Sequence, residues 1–234
     1  MGVFNFRQFK VDDSGCGMKI CSDSVLLGAW FFAPYPHAQN ITDVGAGSGV
    51  LSLMAAQMCP DAVVTGLELD QDAAKAAKAN FEASPWAKRL RLVQGNFADY
   101  RAMPQDFIIS NPPYFNNGLK APSQARATAR HQQELSYDTL IGYAADMLSP
   151  DGRLGFISPA EFESEIIFRA EILGLKLCRL CRVSNRPGMP PKRLLWDFSR
   201  IDCPQAATQI NLRDEAGVWS KDYLALVTPF YTKI

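Results

Sequence analysis

Histidine is scarce in this chain. His37 and His131 are the two it has, and neither sits beside a cysteine pair, so a zinc site of the usual Cys/His spacing is not expected. The six cysteines, at 16, 21, 59, 178, 181 and 203, lack the dense spacing of a disulfide scaffold. Cys178-x-x-Cys181 lies in an apolar alternating run with no second pair, so reduced thiols packed in a core are expected and no metal. No apolar run reaches membrane-spanning length, and no basic start leads into one. A soluble cytoplasmic protein is the expectation. Neither sign of charge is in excess: Lys+Arg and Asp+Glu both number 24, which excludes a global basic field. There is no internal repeat and no low-complexity tract, and no obligate protein partner is evident.

Local composition departs from that balance. Between Phe107 and Gln133 there is no acid, yet Lys120, Arg126, Arg130 and His131 are present. Arg169 to Arg200 holds eight Lys/Arg against Glu171 and Asp197. Two basic regions on a neutral chain are compatible with a polyanion on one face. With 47% apolar residues over 234 positions the chain can bury a sizeable core, and one domain, 1–234, is expected.

Order along the chain follows from periodicity. Residues 4–10 alternate apolar and polar as a half-buried strand does, Asp12 to Gly15 carry turn chemistry, and Cys16 to Cys21 can return, giving an N-terminal hairpin. Ser22 is placed as a helix N-cap with Asp23 in the first turn, before an apolar helix over 25–32 that Pro34 and Pro36 end. Strands are then expected at 41–45, 63–69, 89–95, 106–110 and 152–158, with helices at 49–58, 71–83 and 137–148. Short apolar strands alternating with helices mean a parallel sheet buried on both faces. Beyond 160 come a helix over 162–173 stopped by Gly174, strands over 175–183 and 193–201 joined by a proline-rich basic loop, a short strand over 207–213, and a last helix capped by Ser220.

Four constellations at strand ends carry chemistry. Asp43 precedes a turn with Gly45, Gly47 and Gly49, where a ligand can approach the backbone closely. The spacing is Gly-x-Gly-x-Gly. The preceding acid would repel a pyrophosphate and attract a cation, which favours S-adenosylmethionine over NAD. Glu68 follows at the distance at which an acid accepts from ribose hydroxyls. Asn96 and Phe97 end the third strand, where an amide can meet an adenine amine and a ring can pack on the base. Asn111, Pro112, Pro113 and Tyr114 end the fourth. Two prolines stiffen the backbone, so the Asn111 carboxamide oxygen and the Pro112 carbonyl can both accept from one planar NH2, and Tyr114 offers a stacking face.

These residues resemble the class I, S-adenosylmethionine-dependent methyltransferases of amino groups. The resemblance implies an α/β, Rossmann-like, doubly wound, mostly parallel seven-stranded sheet with an N-terminal β-hairpin. Within that class, Phe6-x-x-Phe9, the segment Met18 to Trp30, Asn111 to Phe115, Arg130-His131 and Lys192-Arg193 with Leu194-Leu195 resemble the bacterial tRNA1(Val) adenine-37 N6-methyltransferases. The resemblance covers nearly the whole chain. It implies that 1–36 form the hairpin and first helix, 37–160 the cofactor-binding core, and 161–234 a part completing the sheet.

The resemblance further implies that Asp43, Gly45 and Gly47 hold the methionine moiety, Glu68 the ribose, and Asn96 and Phe97 the adenine. Lys19, Ser22 and Asp23 close over the cofactor, and Asn111 meets both cofactor and target. Lys120, Arg126, Arg130, His131, Lys192 and Arg193 would hold tRNA. Asn96 stands where the family usually has Asp, and Ser22 where Thr is common. A protein glutamine methyltransferase would use the same Asn-Pro-Pro-Tyr on another planar amide, but normally with a helical bundle before it. An rRNA guanine N2-methyltransferase usually has a longer chain. A non-catalytic cofactor or RNA binder is the alternative of a different class.

Overall fold

A computed structural model describes residues 2–113 and 135–233. Tyr114, Lys120, Arg126, Arg130 and His131 lie outside the described residues. The chain opens with an antiparallel hairpin of β1 (Val3–Asn5) and β2 (Lys10–Asp12). The hairpin is shorter than expected and closes earlier: residues 4–10 are not one strand, and 16–21 do not return as a second. The turn forms inside the alternating run because Phe6 and Phe9 stack at 4.4 Å and the Phe6 N–H donates to Phe9 O at 2.9 Å. Ser14 N–H donates to Asp12 Oδ1 at 2.9 Å, an Asx-type turn that redirects the chain after β2.

Helix α1 (Ser22–Phe32) is buried along nearly its whole length, from Ser24 to Phe32. Its N-cap is Cys21, without a side-chain hydrogen bond, and Ser22 is its first residue; the expected Ser22 cap is therefore corrected. An all-round apolar helix belongs between other elements, and α1 lies against the main sheet and beneath α2 (Val50–Met58).

The main sheet has eight strands among the described residues: β3 (Asn40–Val44), β4 (Val63–Glu68), β5 (Leu90–Gln94), β6 (Gln105–Ser110), β7 (Leu148–Pro159), β8 (Lys176–Ser184), β9 (Arg193–Ser199) and β10 (Ala206–Asn211), in the order β10-β8-β9-β7-β6-β3-β4-β5. Only β9 runs against its neighbours. Seven strands were expected in the sheet. The eighth is β10, which the apolar-polar pattern at 207–213 foreshadows and which joins the edge beside β8.

Helices α2, α3 (Gln71–Glu82) and α6 (Lys221–Val227) share one apolar layer with α1, while α4 (Tyr137–Met147) and α5 (Glu163–Ile172) form the other. Local hydrogen bonds and one glycine fix the helix ends. The Asp70 side chain accepts from Asp72 and Ala73 N–H, Ser136 and Thr139 form a capping box, Ser220 accepts from Tyr223 N–H, and Gly174 ends α5 at φ +75°. The chain order reverses between β3 and β6, so the crevice at their carboxyl ends is the switch point where doubly wound sheets bind ligands.

The cysteine expectation fails at one pair. Cys178 and Cys203 form a disulfide with Cα atoms 5.5 Å apart. The connection from β9 to β10 has to pass the start of β8, which brings Cys203 to Cys178. Cys16, Cys59 and Cys181 are free and buried, and Cys21 is free and half-buried.

Packing between α1 and β7 leaves no room at Gly155. A Cβ built there would lie 2.4 Å from the ring of fully buried Phe31. Gly155→Ala is expected to cost about 1–3 kcal/mol through overpacking, read as a lower urea midpoint with an unchanged denaturant slope. An unchanged midpoint would mean that α1 is not held at that depth.

Candidate active site

The carboxyl ends of β3, β4, β5 and β6 face one crevice. The β3–α2 turn is built by left-handed glycines: Gly45 at φ +72°, Gly47 at +55° and Gly49 at +83°. At Gly49 a Cβ would meet Phe81 at 2.4 Å, so size as well as φ requires glycine there. Among the described residues a Cβ at Gly47 would meet nothing within 4 Å.

Asp43 is fully buried at the end of β3. Its Oδ2 accepts from Ser52 N–H at 2.9 Å and from Ser52 Oγ–H at 2.7 Å. Among the described residues its Oδ1 is buried with no hydrogen-bond partner. A buried carboxylate oxygen without a partner is costly, and a ligand ammonium would satisfy it. Burial pushes the Asp43 carboxyl up to about 7, against the two Ser52 hydrogen bonds, and Glu68 adds repulsion.

Glu68 ends β4. Its Oε2 accepts from Gly47 N–H at 2.7 Å and its Oε1 from Asp70 N–H at 2.8 Å. The carboxylate thus ties the glycine turn to the start of α3. Two oxygens offer about four acceptor sites, so capacity for two ribose hydroxyls remains. Asn96 caps a short 3₁₀ turn, with Oδ1 accepting from Ala98 N–H at 3.0 Å. Phe97 is buried against Tyr143, edge to face at 5.5 Å, so most of it is core.

Asn111 follows β6. Its Nδ2 donates to Ser24 Oγ at 2.8 Å and lies 3.5 Å from Cys21 Sγ. Both partners lie at the start of α1, so the amide NH2 is held by the protein and, among the described residues, the carboxamide oxygen is the atom left to accept from a substrate. Pro112 is buried behind it and Pro113 is exposed. Ser24 is the functional neighbour that sequence reasoning missed. It is a buried hydroxyl at the start of a mostly apolar helix, and its partner is 87 residues away.

The remaining expected residues divide. Lys19 Nζ donates to Asp13 O at 2.6 Å and pairs weakly with the Asp13 carboxylate at 3.9 Å, so it braces the turn after β2. Ser22 opens α1. Asp23 accepts from Arg193 Nε at 3.1 Å, which joins α1 to the start of β9. Lys192 is exposed. No group of three or more His, Cys, Asp or Glu among the described residues is placed to hold a metal, and none of their helices is long and apolar enough to cross a membrane.

Residues 16–175 match the family model of the methyltransferase small domain. The fold agrees with that match. The crystal structure of a predicted O-methyltransferase from Agrobacterium tumefaciens superposes with a TM-score of 0.68 at 20% identity, covering 88% of this chain and 96% of that one. A methyltransferase from Pyrococcus furiosus gives 0.55 at 19% identity, covering 80% and 90%. Sheet order, glycine turn and buried acid therefore define a class I methyltransferase, whose cofactor is S-adenosylmethionine.

Curated relatives narrow the family. The tRNA1(Val) (adenine(37)-N6)-methyltransferase of Photobacterium profundum is 40% identical over 99% of this chain and 98% of its own. Those of Tolumonas auensis, at 38% over 99% and 97%, and Porphyromonas gingivalis, at 36% over 98% and 95%, are similar along their whole length. The chain belongs to the tRNA1(Val) (adenine(37)-N6)-methyltransferase family.

The elevated Asp43 carboxyl predicts a pH-dependent cofactor affinity. An ammonium partner needs the carboxylate, so below about 7 binding must first expel a proton. The S-adenosylmethionine Kd is expected to weaken about tenfold per pH unit below that value and to level off above it. Because the folded-state value lies above the ordinary 3.8, the unliganded fold loses stability as pH rises between those values. Calorimetric titration from pH 5 to 7 checks the affinity; a flat profile, or one unchanged in Asp43→Asn, would remove Asp43 from the ammonium site.

Proposed function

We propose that this chain transfers a methyl group from S-adenosylmethionine to N6 of adenine-37 in the anticodon loop of tRNA1(Val). The observation that carries this reading is the orientation of Asn111, whose NH2 is taken by Ser24 and whose oxygen is left for an incoming amine. The names of the full-length relatives support the particular tRNA and base.

When bound, S-adenosylmethionine supplies an electrophilic methyl group carried on a sulfonium. Oδ1 of Asp43, unpartnered among the described residues, would take its ammonium, Gly45 and Gly47 would hold its methionine portion, with open space at Gly47 alone, and Glu68 would accept from its ribose. Asn96 and Phe97 would flank its adenine. Lys19, Ser22 and Asp23 would act from the amino-terminal side, Lys19 and Asp23 through the ion pairs that order that segment.

Asn111 Oδ1 and the Pro112 carbonyl would accept both hydrogens of the target N6. Two such bonds localise the nitrogen lone pair, which aniline-like conjugation otherwise delocalises into the base. No strong base is needed before attack. Positioning then supplies most of the acceleration, for which effective molarities allow roughly 7–11 kcal/mol. An anticodon-loop base reaches such a pocket at modest unstacking cost. Tyr114 would stack on the base, and Lys120, Arg126, Arg130 and His131 would meet tRNA phosphates together with exposed Lys192. Arg193 would contribute through its ion pair with Asp23. A tRNA substrate supports a cytoplasmic location, and one methyltransferase domain over 1–234 is part of the same proposal.

Incubation with unmodified tRNA and cofactor, followed by nucleoside mass spectrometry, should give N6-methyladenosine at position 37. Incorporation into protein alone would sink this reading in favour of a glutamine substrate. Asn111→Ala should lower kcat by at least about a hundredfold at unchanged cofactor Kd, in the range found for lost transition-state hydrogen bonds. Ser24→Ala, which frees the carboxamide to rotate, should lower kcat about tenfold with little change in KM, and Ser24→Thr should restore most of it. A kcat near wild type in Ser24→Ala would show that Asn111 keeps its orientation without the hydroxyl.

A further inference from the structure

A second cavity lies on the carboxyl-end edge of the sheet, away from Asn111. It has a volume of about 300 Å³ and is lined by Asn185, Arg186, Leu212, Arg213 and Trp219. Two rigid pieces build it. The chain after β10 turns through a tight hairpin in which Arg213 bridges Trp219, Asp214 N–H donates to Val218 O at 2.9 Å, and Ser220 N–H donates to Leu212 O at 3.0 Å. That hairpin is bonded to the end of β8 by Leu212 N–H to Ser184 O at 2.9 Å and Arg213 N–H to Asn185 O at 3.0 Å.

The chemistry of the lining is specific. The Arg213 guanidinium lies 4.1 Å from the Trp219 ring centroid, and Trp219 is backed by Tyr223 at 4.9 Å. Arg213 Nη1 donates to Gly217 O at 2.7 Å, which fixes its plane. Arg186 reaches over the same turn, where a Cβ at Gly217 would sit 3.3 Å from Arg186 Nη2. Among the described residues neither arginine has an ion pair. The neighbouring Asp214 carboxylate is turned into the hairpin, accepting from Val218 N–H at 3.2 Å, and Glu215 is exposed at its tip.

A fixed guanidinium plate backed by an indole, with a second free arginine and a side-chain amide at its rim, suits an unpaired nucleotide. The base would stack on the open face of Arg213, the Asn185 amide would meet its edge, and Arg186 its phosphate. Position adds a second argument. β6, β8 and β10 run parallel, so their carboxyl ends lie on one edge, and β10 stands four places from β6 in the sheet. At ~4.8 Å per strand that is roughly 19 Å, or about five to six nucleotides at ~3.4 Å per stacked residue.

We infer that this cavity binds a second unpaired nucleotide of the same RNA, a few residues from the methylated adenosine, and so selects the target by its distance from that anchor. The inference rests on the proposed tRNA activity. It assigns to the carboxyl-terminal part a role in choosing among adenines that Asn111 alone cannot discriminate, since any N6 amine satisfies the same two acceptors.

Methylation kinetics on an anticodon stem-loop RNA test it, with the wild type, Arg186→Ala and Arg213→Ala. Both variants should lower kcat/KM about tenfold, the scale of one lost base contact, at unchanged S-adenosylmethionine Kd. A series of RNAs each abasic at one loop position should contain one that costs the wild type a similar factor and costs Arg213→Ala little more. Should Arg213→Ala fail to fold, Arg186→Ala, on an exposed side chain, carries the test alone. Unchanged kcat/KM in Arg186→Ala, or additive losses across the abasic series, would overturn the assignment. A wild type inactive on every RNA while binding cofactor would instead overturn the tRNA reading beneath it.

Discussion

Helix α1 is held at both ends, and the site depends on that clamp. At its start, Asp23 pairs with Arg193 of β9 and Ser24 accepts from Asn111 after β6. At its end, Arg179 of β8 donates to Trp30 O at 3.4 Å and Phe31 O at 3.0 Å, supplying cations and donors to carbonyls that a helix terminus leaves unpaired. Arg179 is itself fixed by fully buried Asp197, which also takes Arg153 and the Tyr35 hydroxyl. An anionic side chain buried among two guanidinium groups is tolerable only because every partner is present. Loss of any one would loosen α1 and with it the orientation of Asn111.

The same accounting separates the two acids of the crevice. Glu68 spends both oxygens on backbone N–H groups and so shapes the glycine turn whether or not a ligand is there. Among the described residues Asp43 keeps one oxygen unpaired in a fully buried position. A fold that leaves such an atom unsatisfied gives up stability that a cationic ligand returns on binding. Glu68 therefore builds the turn and keeps acceptor capacity to spare, while Asp43 holds an oxygen that only an occupant satisfies.

Much of the central fold could be read from the chain because β3, β4 and β6 are short, mostly apolar runs buried over most of their length, and Asp70 gives α3 a clear start. The glycine turn and Asn111-Pro112 were readable for the same reason: their conformational demands leave few residue choices. What could not be read depends on contacts distant in sequence. The hairpin closes early because Phe6 and Phe9 stack on each other and Phe6 also stacks with Tyr231 at 5.9 Å. Cys203 meets Cys178 only once β10 lies beside β8. Ser24 acquires meaning only from Asn111. Arg193, expected at an RNA surface for its charge, is engaged with Asp23, which no local pattern announces.

The eighth strand gives these observations a common geometry. A sheet ending at β8 would have no partner for the chain after residue 205, and the hairpin carrying Arg213 and Trp219 would have no rigid base. By pairing in parallel with β8 over Ala206–Asn211, β10 brings that hairpin to the same edge as the cofactor crevice. Parallel strands end on one side by construction, so each strand added to the sheet widens a single functional edge. A base in the Asn111 pocket and a nucleotide against Arg213 would then be held by one continuous hydrogen-bonded sheet, whose spacing cannot stretch without breaking backbone pairs. Rigidity of that kind is what a measurement of distance along an RNA loop requires.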